Sequence, residues 1–232
     1  ISISISQILI RAYSILLSQP KLICKGLELL GMEDCKLVQT PLSPGINLIA
    51  ASKEEKEAFQ KLKINYRSHT GLLNFLACRT RPDLAPAVSI LSSFNNDLGI
   101  KHWVQVLHCW KYLKGTIDLK LTLRPECVGN EVKYFTDATW ADDLESRLSQ
   151  SGSICFWKTC LIEKIKNFGS NSKTKHHDIK MKWLRELNNG NQINVKLIPS
   201  DEMVADALTK PSNAESLRRL QARCFLVLFS PN

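Results

Sequence analysis

The sequence predicts an α/β protein: a helical region up to about Pro125, then a mixed set of strands and helices. Two observations carry this. Trp103, Val106, Leu107, Trp110 and Leu113 recur at three and four residues, the spacing of one apolar helix face. After Gly115 the period changes, and residues 119–123, 132–136 and 153–157 read as strands. A composition of 44% apolar and 23% charged residues over 232 residues excludes a disordered chain and fits one large or two small domains.

Taken in order, Ile1, Ile3 and Ile5 alternate with Ser2, Ser4 and Ser6, a strand edge and not a membrane helix or signal core. The chain does not begin with Met, and it reads as a piece of something longer. Residues 13–17 read as a strand. Residues 20–30 read as a short helix ended by Gly31, before the Pro41, Pro44 and Gly45 stretch that makes the first linker. A charged helix is expected over 53–63. A second follows over 66–77 on Leu72, Leu73, Phe75 and Leu76, and a third from Pro82 to residue 94, with proline in its first turn. Gly99 separates these from the Trp103 helix, whose stripe is expected to pack as core and not to stack bases.

Beyond residue 157 the sequence predicts helices over 161–168 and 173–187, a strand over 193–198, a short helix over 201–209 with Ser200 as its cap, and a closing helix over 214–223.

The balance of 31 Lys and Arg against 22 Asp and Glu, a formal charge of +9, favours a polyanionic partner, most simply nucleic acid. Basic residues concentrate in 161–190: Lys164, Lys166, Lys173, Lys175, Lys180, Lys182 and Arg185, against Glu163, Asp178 and Glu186. This run is either a solvated helix face or a phosphate-contacting surface. Eight cysteines without C-x-x-C pairing predict reduced, mostly buried thiols and no structural zinc, in an intracellular protein, cytoplasmic or nuclear. No membrane partner is expected.

Several ordered phrases bear on identity. Ser18-Gln19, Leu29-Leu30-Gly31-Met32 and Thr40-Pro41-Leu42 are followed by Tyr66-Arg67-Ser68, Gly71-Leu72-Leu73-Asn74-Phe75-Leu76-Ala77, Thr80-Arg81-Pro82-Asp83-Leu84 and Tyr112-Leu113-Lys114-Gly115-Thr116. Tyr134-Phe135-Thr136-Asp137-Ala138-Thr139-Trp140 and Val204-Ala205-Asp206-Ala207-Leu208-Thr209-Lys210 complete the series. In order and spacing they resemble the Pol polyprotein of copia-type LTR retrotransposons. The resemblance implies the end of a reverse transcriptase over 1–52, a helical connection over 53–125, and a truncated ribonuclease H-like domain over 126–232 with an incomplete mixed sheet and helices. An RNA:DNA hybrid is the implied partner. The polymerase's paired-Asp hairpin would lie before residue 1, and Asp142-Asp143 belongs instead to an acidic turn after the Asp137 strand.

Ribonuclease H chemistry is a two-metal hydrolysis in which clustered carboxylates hold two magnesium ions about 4 Å apart. Of the family's four acidic positions only two carry over, Asp137 and Asp206, as catalytic and metal-ligating remnants; a solvated carboxylate without a role in catalysis is the alternative for each, on a helix in the case of Asp206. The helix with the catalytic Glu and the strand ending in the third Asp are missing, because Thr159-Cys160 runs directly into a phrase resembling the segment after that Asp. An internal deletion, in the genome or from a misjoined gene, leaves neither polymerase nor nuclease activity expected. It also leaves an open edge beside the Asp137 strand and a loosened C-terminal half. The role of His176-His177 stays open between helix-start packing, substrate contact and, last, a metal site.

Overall fold

The computed structural model describes residues 7–11, 14–125, 131–139, 150–168, 186–210 and 213–226. It is a mixed α/β chain with two small antiparallel sheets. Strand β1 (Gln7–Arg11) pairs with β2 (Ser14–Ser18), and helix α1 (Pro20–Leu30) follows. Helices α2 (Lys53–Gln60) and α3 (Tyr66–Arg79), a 3-10 turn over Pro82–Leu84, α4 (Ala85–Ser93) and α5 (Ile100–Gly115) complete the helical region. The expected elements here hold with small shifts at their ends. Ser52 and Glu55 form a capping box that starts α2, and Asn65 caps α3 through Ser68 N.

The core of this region gathers Ile23, Leu27, Leu73, Leu76, Leu84, Leu91, Val106, Trp110 and Leu113. Each fully buried Leu or Ile contributes roughly 1.5–3 kcal/mol. Trp110 is fully buried, so the stripe on α5 is core, as its spacing predicts. Helix α1 meets that indole at Gly26, where a Cβ would sit 2.1 Å from the ring. Only glycine permits this approach.

Three of the phrases that carry the resemblance converge in one buried network. The Arg81 guanidinium holds Asp83 in a fork, Nε to Oδ1 at 3.0 Å and Nη2 to Oδ2 at 2.7 Å, with both residues inaccessible to solvent. Arg81 also donates to Thr116 O and Oγ1, Tyr112 OH donates to Asp83 Oδ2 at 2.5 Å, and Thr80 Oγ1 donates to Gln19 Oε1 at 2.9 Å. These residues are structural: Arg81, Asp83, Tyr112, Thr116 and Thr80 find their partners inside the core, and within this network, among the described residues, only the Gln19 amide nitrogen has none.

Strand β3 (Lys120–Leu123) returns to pair with β2, and β7 (Phe225–Leu226) pairs with β3. The second sheet is a meander of β4 (Val132–Thr139), β5 (Gln150–Trp157) and β6 (Cys160–Phe168) in the order β4-β5-β6. Among the described residues β5 is the only partner of β4. Helices α6 (Asp206–Thr209) and α7 (Ala214–Cys224) lie against this sheet and against β3. They share a second core of Leu121, Ile154, Phe156, Ala207, Leu208, Leu220 and Cys224, which also draws in Leu17 and Leu119 from the N-terminal side of Pro125.

Three expectations fail here. Residues 161–168, read as a helix, form strand β6. Leu161, Ile162, Ile165 and Phe168 imitate a helical period because the ladder with β5 shifts register at Cys155/Phe156, leaving Ile162 without a partner and breaking the alternation. The two-residue turn at Lys158 and Thr159, both with positive φ (47° and 69°), folds β6 back onto β5, and pairing overrides local pattern. Residues 193–198, read as a strand, have no ladder, and Val195 and Leu197 are exposed. A period-two pattern makes a strand only where a neighbour completes its hydrogen bonds. The helix over 201–209 shrinks to Asp206–Thr209, with Ala205 as N-cap and no side-chain cap, so Ser200 does not cap it; Pro211, just after Lys210, bars its extension. The helix over 173–187 lies outside the described residues except at its end, where 186–189 are helical. The opening Ile-Ser alternation also lies outside them.

Candidate functional site

The site forms where α6 is pressed onto the face of β4 and β5. Side chains alternate along β4, so Phe135 and Asp137 share one face, while Val132 and Tyr134 are exposed on the other. Asp137 pairs in register with Gly152 of β5. A Cβ on Gly152 would lie 2.5 Å from Leu208 Cβ, so this glycine lets α6 reach the sheet. Phe135 and Phe156 meet edge to face on the same side, with ring centroids 5.9 Å apart.

The approach brings the two sequence-predicted carboxylates into one neighbourhood. Thr209 Oγ1 donates to Asp137 Oδ2 and lies 3.1 Å from Asp206 O. Asp206 is buried, and both its oxygens are occupied by donors of its own chain: Lys210 Nζ on Oδ1, Ser216 Oγ on Oδ2, and Arg219 Nη2 on Oδ2 at 3.3 Å. Helix α7 supplies the last two. Asn213 Oδ1 accepts from Glu215 N and Ser216 N, which fixes the first turn so that Ser216 and Arg219, three residues apart, face α6. Arg219 also pairs with Glu215 at 3.5 Å. The hydrogen bond to Asp206, with the charges of Asp206 and Asp137 behind it, holds the Lys210 ammonium above the ordinary lysine range.

Thr209, Lys210, Ser216, Arg219 and Gly152 are the site residues that sequence reasoning missed. Thr209 and Lys210 stood in the quoted phrase beside Asp206, and the i, i+3 spacing of Ser216 and Arg219 was legible. Nothing in the sequence aims them at a carboxylate ten or more residues away.

A two-metal centre needs several carboxylates with free lone pairs. Among the described residues no three of His, Cys, Asp or Glu gather in a way that could hold a metal. With both Asp206 oxygens engaged, this donor set does not fit two magnesium ions. Of the basic residues, Lys164 and Lys166 lie on β6, at register positions opposite Ile154 and Gly152. Lys173, Lys175, Lys180, Lys182 and Arg185 lie outside the described residues, as do His176, His177, Asp142, Asp143 and Asp178. No helix among the described residues is long and apolar enough to cross a membrane.

The chain is 28% identical, over 84% of its length, to the retrovirus-related Pol polyprotein from transposon TNT 1-94 of Nicotiana tabacum, and covers 19% of that protein. It is 39% identical over 38% of its length to the secreted RxLR effector protein 161 of Plasmopara viticola, covering 62% of it. It is 32% identical over 60% of its length to the retrovirus-related Pol polyprotein from transposon RE2 of Arabidopsis thaliana, covering 9% of it. The chain thus spans under two thirds of each relative, and only a small part of the polyproteins. The alignment with the tobacco relative runs over 257 residues, more than the 232 of this chain, so that relative holds residues there that this chain lacks. No family model and no solved structure matches. The resemblance read from the sequence, to retrotransposon Pol polyproteins, agrees with the tobacco and Arabidopsis relatives.

Proposed function

We propose that this chain, similar over most of its length to copia-type retrotransposon Pol polyproteins, is a nucleic-acid-binding remnant of a reverse transcriptase and ribonuclease H unit that neither polymerises nor cuts. Residues 1–52 derive in this reading from the end of the reverse transcriptase, 53–125 from the connection, and 126–232 from a truncated ribonuclease H-like domain. The meander β4-β5-β6, with Asp137 on its first strand, supports a ribonuclease H-like origin. The strand pattern left without a partner at 193–198 fits the loss of a neighbouring strand.

The observation that carries the loss of nuclease activity is the engagement of Asp206 by Lys210, Ser216 and Arg219. Magnesium would supply water activation and leaving-group stabilisation in an intact relative. Here the chain's own residues only hold Asp137 and Asp206 in place. The formal charge of +9, with Lys164 and Lys166 on β6, supports binding to the phosphates of an RNA:DNA hybrid.

The test is a labelled RNA:DNA hybrid incubated with this protein and its Asp137→Asn variant in magnesium or manganese, with affinity measured across a salt series. Binding that weakens steeply with salt, without cleavage by either protein, is expected. Cleavage lost in the variant would establish a residual metal-dependent nuclease instead, and absent or salt-independent binding would remove the binding function.

A further inference from the structure

A carboxylate that serves a metal must keep a lone pair open towards the ion, and clustered carboxylates of this kind repel one another until the ion arrives. Sites built this way commonly destabilise the fold that holds them, so removing one charge stabilises the protein. Asp206 is held differently. It is 4% exposed, and among the described residues three side-chain donors of its own chain take three of the roughly four acceptor positions of its carboxylate. Lys210, half exposed at 48%, reaches in from solvent to Oδ1, whereas Ser216 and Arg219 close Oδ2 from helix α7. Thr209 covers one oxygen of Asp137. Asp206 therefore meets two cations of its own chain, Lys210 and Arg219, the second shared with the exposed Glu215, and the charge of Asp137 acts on Lys210 as well.

We propose that Asp206 is a cation-locked hub that fastens α7 to α6. The Lys210 ammonium stands where the charge of a divalent ion would otherwise be required, and the Asp137–Asp206 pair neither holds nor needs one. This explains why Lys210, Ser216 and Arg219 converge on a single residue, and why α6, only four residues long, keeps its place on the sheet: it is pinned at Asp206 as well as packed through Leu208. The inference extends the reading that the module does not cut. Its test reads stability and metal occupancy, so a failure of hybrid binding would leave it standing, and its own failure would leave the binding reading intact.

The full chain, Asp206→Asn and Lys210→Met are compared by thermal melting with and without magnesium or manganese, and by manganese paramagnetic resonance. The hub predicts that Asp206→Asn lowers Tm by several degrees or prevents folding, since it leaves Lys210 and Arg219 facing a neutral amide. Lys210→Met also lowers Tm, and the double variant loses less than the sum of the singles because the two residues act on one contact. Neither cation moves the Tm of the unaltered chain, and the manganese spectrum is that of the free ion. A Tm that rises or stays constant in Asp206→Asn, or a metal-dependent rise in the unaltered chain, would overturn the proposal. Should Asp206→Asn not accumulate, the Lys210→Met melt and the manganese spectrum decide alone.

Discussion

Gln221 on α7 donates from Nε2 to the hydroxyl of Tyr112 on α5 at 2.7 Å, joining residues 109 apart in sequence. The same hydroxyl donates to Asp83, so one phenol links the buried Arg81–Asp83 pair to the last long helix. Burial, with the Asp83 charge beside it, pushes that phenol well above the ordinary tyrosine range, so it remains a donor.

Tyr112→Phe removes both contacts without opening a cavity. A hydrogen bond to a charged group is worth about 1.5–3 kcal/mol, so the variant is expected to lose that much in urea unfolding. Gln221→Ala loses less, because it leaves the bond to Asp83 in place. Equal losses would mean that the link to α7, and not the Asp83 bond, carries the stability.

Because residues 126–232 share their core with Leu17, Leu119 and Leu121, a fragment holding only that half is expected to lack a cooperative transition. The full chain is expected to show one. Calorimetry on both separates the cases: a sharp melt of the fragment alone would show that those three leucines are dispensable.

Gly152→Ala places a methyl group within 2.5 Å of Leu208 Cβ, and backbone or helix must shift. Overpacking of this kind costs about 1–3 kcal/mol. The shift falls on α6, so the bond from Thr209 to Asp137 is lost as well, and the unfolding midpoint in urea is expected to drop accordingly. An unchanged midpoint would show that α6 moves freely on the sheet.

The turn at Lys158 and Thr159 asks two residues with side chains to adopt positive φ, which costs about 1–2 kcal/mol per residue. Asn and Gly meet that requirement with less strain. Replacing the pair with Asn-Gly is expected to raise stability by about 1 kcal/mol, after loss of the exposed bond from Thr159 Oγ1 to Arg124 O. A lower Tm would place more weight on that bond than on the backbone.

Burial pushes the imidazoles of His69, His102 and His108 below the usual histidine range. A group with a lowered folded pKa stabilises the neutral state: the contribution is full above the unfolded value of about 6.5 and is lost as pH falls through the folded value. His102 Nδ1 also accepts from Gly99 N at 3.0 Å, which protonation forbids. Urea midpoints are expected to fall as pH drops below about 6.5, with a shallower fall in His102→Gln. An identical pH profile in that variant would remove His102 from the account.

The sequence by itself determined the helical region, because its signals are local. Pro20 and Pro82 open helices, Gly31 ends one, and the Trp103 to Leu113 stripe defines a face that any packing must bury. It also placed Asp137 on a strand and Asp206 in a short helix. Tertiary structure alone decided the rest. Residues 161–168 became a strand because a turn and a neighbouring ladder outweigh an apparent helical period, and 193–198 stayed irregular because no neighbour completes a ladder there. The state of Asp206 was equally out of reach: whether a carboxylate meets a metal, water or an ammonium depends on which side chains the folded chain brings within hydrogen-bonding distance. Here Gly152 lets α6 close onto the sheet, and Asn213 turns Ser216 and Arg219 towards it.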